Sequence, residues 1–198
     1  MIEVIFKPLR YLAIKVEGGS KFKVDIVTPF VVGLIISLVF LYLKFKHQID
    51  LFDNSSLIQS ITGLVQTLPG FYIAALAAIA TFPSTSMNNP MPEPTPYIKF
   101  PNNDDDLLNR RRFLCYMFAY LAYVSIVALF ITSITIFMYG NGLLKVPSII
   151  YYFTYFFVCL VIYFLLIQIV ILTFVGLWYL GERIHINDPT DLNNPEES

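Results

Sequence analysis

The sequence predicts an all-α, polytopic membrane protein, a four-transmembrane-helix bundle. Three observations predict it: the composition, four long uncharged stretches, and the places where the charges collect. Of the 198 residues, 57% are hydrophobic and only 14% are charged, with a mean hydropathy of +0.67. Soluble domains carry about 25% charged residues, so there is too little polar material here to cover one. The same numbers exclude a disordered chain. A formal net charge of -1 gives no basic surface for nucleic acid, and no direct nucleic-acid binding is expected.

No Asp, Glu, Lys or Arg interrupts the stretches Ile26 to Leu43, Leu57 to Phe82, Phe113 to Leu144 and Val146 to Leu180. A hydrocarbon core of about 30 Å needs about 20 apolar residues, so the first stretch just suffices and the others have length to spare. None alternates as the strands of a transmembrane barrel do. Ten of the thirteen Lys and Arg fall on one side of the implied membrane and three, Lys44, Lys46 and Lys145, on the other. The positive-inside rule then places both termini and the long middle loop in the cytoplasm. The first apolar run ends in Leu43-Lys44-Phe45-Lys46 rather than in small residues, and reads as a span rather than a cleaved leader. The resulting divisions are residues 1–25, a cytoplasmic interfacial segment; 26–82, spans one and two; 83–112, a Pro-rich loop and stalk; 113–180, spans three and four; and 181–198, an acidic cytoplasmic tail.

Within the first segment, Leu9, Leu12, Ala13 and Val16 share one face of a helix that Pro8 begins and Gly18-Gly19 ends. A short basic amphipathic helix lies at the membrane interface, where Arg10, Lys15, Lys21 and Lys23 meet anionic headgroups or a protein partner. Asp53, Asn54, Ser55 and Ser56 are N-cap candidates for span two.

Span two is polar first and small afterwards along one face: Gln59, Thr62, Gly63 and Gln66, then Gly70, Ala74, Ala77, Ala78 and Thr81. Small faces let helices approach closely, and amides hydrogen-bond between helices. The stripe therefore marks a tightly packed bundle or oligomer interface, the lining of a polar pore, or a lipid-facing helix with incidental polarity. Pro69-Gly70 is expected to kink or break the helix as a hinge.

Six prolines lie between Pro83 and Pro101. Such density favours an extended spacer, or a contact strip for a cytosolic partner centred on Pro92 and Pro94. Asn103 or Asp104 is expected to cap a helical stalk that pairs Asp106 with Arg110 at i, i+4, and Arg110, Arg111 and Arg112 anchor its base at headgroups or a partner. Three adjacent aspartates on a helix diverge and do not make a metal site.

Span three carries Ser125, Thr132, Ser133 and Thr135, hydroxyls that can bond back to their own helix. Gly140-Asn141-Gly142 makes the outer turn. Span four is long, about 48 Å at 1.5 Å per residue, with Gln168 as its single mid-membrane amide. Tyr151, Tyr152 and Tyr155 at one end and Trp178 and Tyr179 at the other suit aromatic belts.

No ionisable residue falls at membrane depth in this reading, and the two histidines, His47 and His185, fall on opposite sides. Cys115 and Cys159 read as packed thiols. No nucleophile, phosphate-loop or metal-ligand motif is present, so neither catalysis nor a cofactor is expected. What remains is a membrane scaffold that self-associates and holds a cytosolic effector, a channel with span two around its axis, or a lipid-interacting accessory protein with no partner.

In layout the chain resembles the KwaA membrane component of the Kiwa anti-phage defence system. The likeness lies in the basic segment through Lys23, four spans, cytoplasmic ends, the Pro83 to Pro101 loop and the Asp104 to Arg112 stalk. It implies a bacterial inner-membrane protein that forms a homotetramer and senses phage attack at the envelope. It also implies a DNA-binding cytosolic partner protein.

Overall fold

The computed structural model describes residues 6–16, 20–47, 51–52, 56–81, 86–88, 91, 95–99, 105–142 and 148–183. Four long helices dominate: α1 (Thr28–His47), α2 (Ser56–Thr81), α3 (Arg110–Gly140) and α4 (Ser148–Trp178). Each is long and apolar enough to cross a membrane, where only a helix or a closed barrel satisfies every backbone group. The chain is thus a multi-pass membrane protein by length and composition. A turn of π-helix at Lys23–Val27 widens the entry to α1, and a second follows α4 at Tyr179–Arg183.

Each end helix packs mainly on one inner helix, giving the order α1, α4, α3, α2. Contacts between residues 11, 25, 120 and 168 mark one face of the bundle, called near here, and those among residues 51, 139 and 155 mark the far face. One core fills the near half, with Val65, Tyr72 and Ile79 of α2 against Leu114, Met117, Phe118 and Leu121 of α3. A smaller far cluster gathers Leu51, Phe52, Ile58, Tyr155, Cys159 and Ile162.

Small residues set the α1–α4 contact. Ser37 is fully buried and donates to the Gly33 carbonyl at 2.7 Å. A Cβ at Gly33 would lie 3.1 Å from the backbone nitrogen of Phe164. Glycine is needed there for backbone to meet backbone. Gly33→Ala is therefore expected to destabilise the protomer by about 1–3 kcal/mol through overpacking, measured as a lowered unfolding midpoint in detergent.

The hydroxyls of Ser125, Thr132 and Thr135 are buried and bond back to carbonyls three or four residues earlier, as the sequence predicts. The turn after α3 also forms where predicted: Asn141 caps α3 through its amide on the Phe137 carbonyl, and Gly142 takes φ 70°.

Four local expectations are corrected. Helix α2 runs unbroken through Pro69, so the expected break is absent and any bend at Pro69-Gly70 lies within a continuous helix. The stalk is not helical: β1 (Tyr97–Lys99) pairs antiparallel with β2 (Asp105–Leu107), and α3 starts only at Arg110. Asp106 accordingly pairs with Arg112, at 2.7 Å, and not with Arg110. The N-terminal segment begins as a 3-10 turn, Lys7–Leu9, with Pro8 in its first turn as expected, continues as one α-helical turn, Arg10–Ala13, and then extends, so that Lys15 bridges Tyr97 where a longer helix was expected. Tyr11 and Ile14 are buried, while Leu12 and Ala13 of the expected apolar face are exposed on the protomer. The strand-like bridge fixes that register, because extended backbone alternates sides where a helix would not. The N-cap candidates Asp53, Asn54 and Ser55, together with Pro92, Pro94, Pro147 and the tail from residue 184, lie outside the described residues.

Candidate functional site

Two features stand apart from ordinary packing. The first is the outer face of α2. Gln59, Gly63, Gln66, Gly70, Ala74, Ala77, Ala78 and Thr81 are all exposed on the protomer, and Thr62 is half-buried with its hydroxyl on the Ile58 carbonyl. The opposite face, Val65, Tyr72 and Ile79, packs on α3. The predicted stripe is thus one continuous surface that the protomer leaves uncovered.

The other end helix shows what a lipid-facing surface looks like in this chain. Beside its stripe α2 also exposes Leu57, Leu64, Phe71 and Ile73, and the large exposed hydrophobic residues of α1 are Phe30, Val31, Val32, Ile35, Leu38, Val39, Tyr42 and Phe45. That is bulky and apolar. On α2, a Cβ at Gly63 or Gly70 would meet nothing within 4 Å. Neither glycine is demanded by packing inside the protomer, although each costs a helix up to about 1 kcal/mol relative to Ala. An amide transferred to hydrocarbon without a hydrogen-bond partner costs about 2–7 kcal/mol, so Gln59 and Gln66 disfavour lipid contact strongly. The α2 face is built for something other than lipid.

The second feature is a buried polar hub where α1 enters the bundle. Asp25, on the π-helical turn, is 3% exposed. Its carboxylate accepts from Lys21 Nζ at 2.6 Å and from the Tyr11 hydroxyl at 3.4 Å. Lys21 also donates to the Tyr11 carbonyl at 3.1 Å and sits 3.9 Å above the Tyr11 ring. Tyr11 stacks on Tyr120 of α3 at 5.1 Å between centroids. Gln168 of α4, fully buried, donates to the Asp25 carbonyl at 2.9 Å. Pro29, four residues on, has no N–H to give that carbonyl, and the turn itself is π-helical, with Thr28 N–H closing on Lys23. Burial holds the Lys21 ammonium below its ordinary value, against the pull of Asp25. Burial, then the Asp25 charge, pushes the Tyr11 phenol up. The hub ties the N-terminal segment, α1, α3 and α4 together.

Lys21 was expected at headgroups or a partner; it is instead turned inward, because Asp25 one helical turn away offers it a buried counter-charge. The arginine triplet is also engaged within the protomer. Arg110 is buried. Arg111 donates to the Ala80 carbonyl at 3.0 Å, a cation closing the C-terminal end of α2. Arg112 forks onto both Asp106 oxygens at 3.2 and 2.7 Å. Of the predicted contact residues, Arg10, Lys15 and Lys23 keep exposed positions on the near face. Asp25 and Tyr11 were missed; the i, i+4 spacing of Lys21 and Asp25 was visible, whereas nothing local marks Tyr11.

The hydrogen bonds from Arg112 hold the Asp106 carboxyl below its usual range. That pair is intact above the ordinary carboxylate pKa and is lost as pH falls through the lowered value. The protection of β2 amides, taken relative to their intrinsic exchange rates, is expected to fall below about pH 4, and that step is expected to be lost in Asp106→Asn.

Among the described residues no group of three or more His, Cys, Asp or Glu could hold a metal ion. Cys115 and Cys159 are both free thiols. Comparison with protein-family models, with curated proteins and with solved structures finds no match to this chain.

Proposed function

We propose that the protein is a membrane scaffold that self-associates through α2 and presents its near face to a cytosolic effector. The observation that carries it is the uncovered α2 stripe, polar and small, with two glycines that no contact inside the protomer requires. A second copy covers such a face best. Its own amides can answer Gln59 and Gln66, and its backbone can approach at Gly63, Gly70 and Ala74. Such a contact sets α2 beside α2 of the next protomer about a common axis, and the tetramer implied by the layout resemblance to KwaA repeats it four times.

On this reading the near face is cytoplasmic and the membrane is a bacterial inner membrane. The effector docks on Arg10, Lys15, Lys23 and the adjoining hairpin, and, if the resemblance holds, it is a DNA-binding protein that acts in anti-phage defence. The chain senses and positions; it performs no catalysis and takes no cofactor. The exposed amides favour one alternative, a channel with Gln59 and Gln66 facing a central axis.

The two readings part in liposomes. Purified oligomer under an ion gradient is expected to give no flux, and the triple variant Arg10→Glu, Lys15→Glu, Lys23→Glu is expected to lose a co-purifying cytosolic partner. Robust flux that Gln66→Leu abolishes would replace the scaffold with the channel.

A further inference from the structure

Helices α1 and α4 touch closely at Gly33 and Ser37, but the side chains between them grow toward the far face. Phe40 stacks on Tyr163 at 5.3 Å, and Phe45 meets Tyr152 edge-on at 6.1 Å. Small residues at one end and rings at the other splay the pair. The splay leaves a groove of about 580 Å³ lined by Leu38, Leu41, Tyr42, Phe45, Ile149 and Tyr152. Residues 38 to 45 cover about 10 Å of helix at 1.5 Å per residue, against about 15 Å for one leaflet of the hydrocarbon core. The groove is open, and its walls are apolar.

Its rim is cationic. Lys46 donates to the hydroxyl of Tyr42, a groove residue, at 3.0 Å. Lys44 lies 5.2 and 5.8 Å from the ring centroids of Tyr151 and Tyr155, beside Tyr152. Long ammonium side chains at a helix end reach to headgroup level. Two positive charges and a phenol therefore stand where the headgroup of a lipid would lie if its acyl chain entered the groove. We infer that this groove is a binding site for an anionic phospholipid, with one acyl chain along Leu38 and Leu41 and the phosphate held by Lys44, Lys46 and Tyr42. Charge complementarity selects the anionic class, because a zwitterionic lipid gains little from two ammoniums.

The test uses the full-length protein in phosphatidylcholine nanodiscs doped with phosphatidylglycerol, followed by delipidation and native mass spectrometry of retained lipid. Phosphatidylglycerol is expected to be enriched about 30-fold over its bulk fraction, the scale for two lysines at an anionic surface. Lys44→Gln with Lys46→Gln is expected to return retention to the bulk ratio, while Lys44→Arg with Lys46→Arg keeps it and shows that the fold is intact. Leu38→Trp, which fills the groove and leaves the charges, is expected to lower the enrichment as well. Equal retention of the two lipids by the wild type overturns the inference. So does enrichment that survives the Gln pair, or enrichment that survives Leu38→Trp, which would mark a charged surface without an acyl site.

Discussion

Gly70→Leu is expected to weaken self-association by about 5- to 150-fold, while the protomer keeps its fold. The two halves of that result come from the same observation. A side chain at position 70 enters open space within the protomer, so α2 still packs on α3 through Val65, Tyr72 and Ile79. In the oligomer the same side chain falls where two helices approach, and overpacking costs about 1–3 kcal/mol, which is the stated range in affinity. Gly33→Ala supplies the contrast, since its cost falls on the protomer itself. Dilution series in detergent, read by light scattering, measure the first effect, and unfolding midpoints measure the second. A Gly70→Leu protein that assembles like wild type removes α2 from the interface.

The second large effect belongs to the hub. Asp25→Leu is expected to destabilise the protomer by about 3–5 kcal/mol, the cost of leaving a buried ammonium without its partner. The side chains of Lys21 and Asp25 are only 12% and 5% exposed, so solvent does little to relieve Lys21. Replacing both charges, Lys21→Met with Asp25→Leu, is expected to recover most of the loss, because a buried pair contributes far less than either member costs alone. The double variant is also expected to loosen residues 10–16 to amide exchange, since Lys21 no longer donates to the Tyr11 carbonyl. Denaturant or thermal midpoints in detergent decide the ranking. A double variant as unstable as Asp25→Leu contradicts the pairing.

These two effects sit at opposite ends of what the sequence reveals. The spans were legible because length and absence of charge are properties of a single segment, and the α2 stripe because helical periodicity puts Gln59, Gly63, Gln66 and Gly70 on one face. That the stripe is uncovered was not legible. It depends on α2 ending the row of helices, with α3 covering its other side. The hub was hidden for a related reason. Asp25 closes the segment assigned to the cytoplasmic interface, yet its carbonyl meets Gln168, 143 residues away in sequence, and its carboxylate meets Tyr11, 14 residues earlier. Long-range partners leave no periodic trace. The hairpin was obscured by the run Asp104-Asp105-Asp106, whose composition suits a helix start, whereas the backbone of β1 and the bridge from Lys15 offer extended partners that win.

The central claim is that α2 meets a second copy, and a cysteine scan along α2 in native membranes tests it most directly. The background carries Cys115→Ala and Cys159→Ala, removing both free thiols. Under mild oxidation, single cysteines at Gly63, Gln66, Gly70, Ala74 and Ala77 are expected to cross-link protomers, and those at Val65, Tyr72 and Ile79, buried against α3, are expected to stay monomeric. Cross-linking absent from every position on the stripe, or equal on both faces of the helix, would contradict the account.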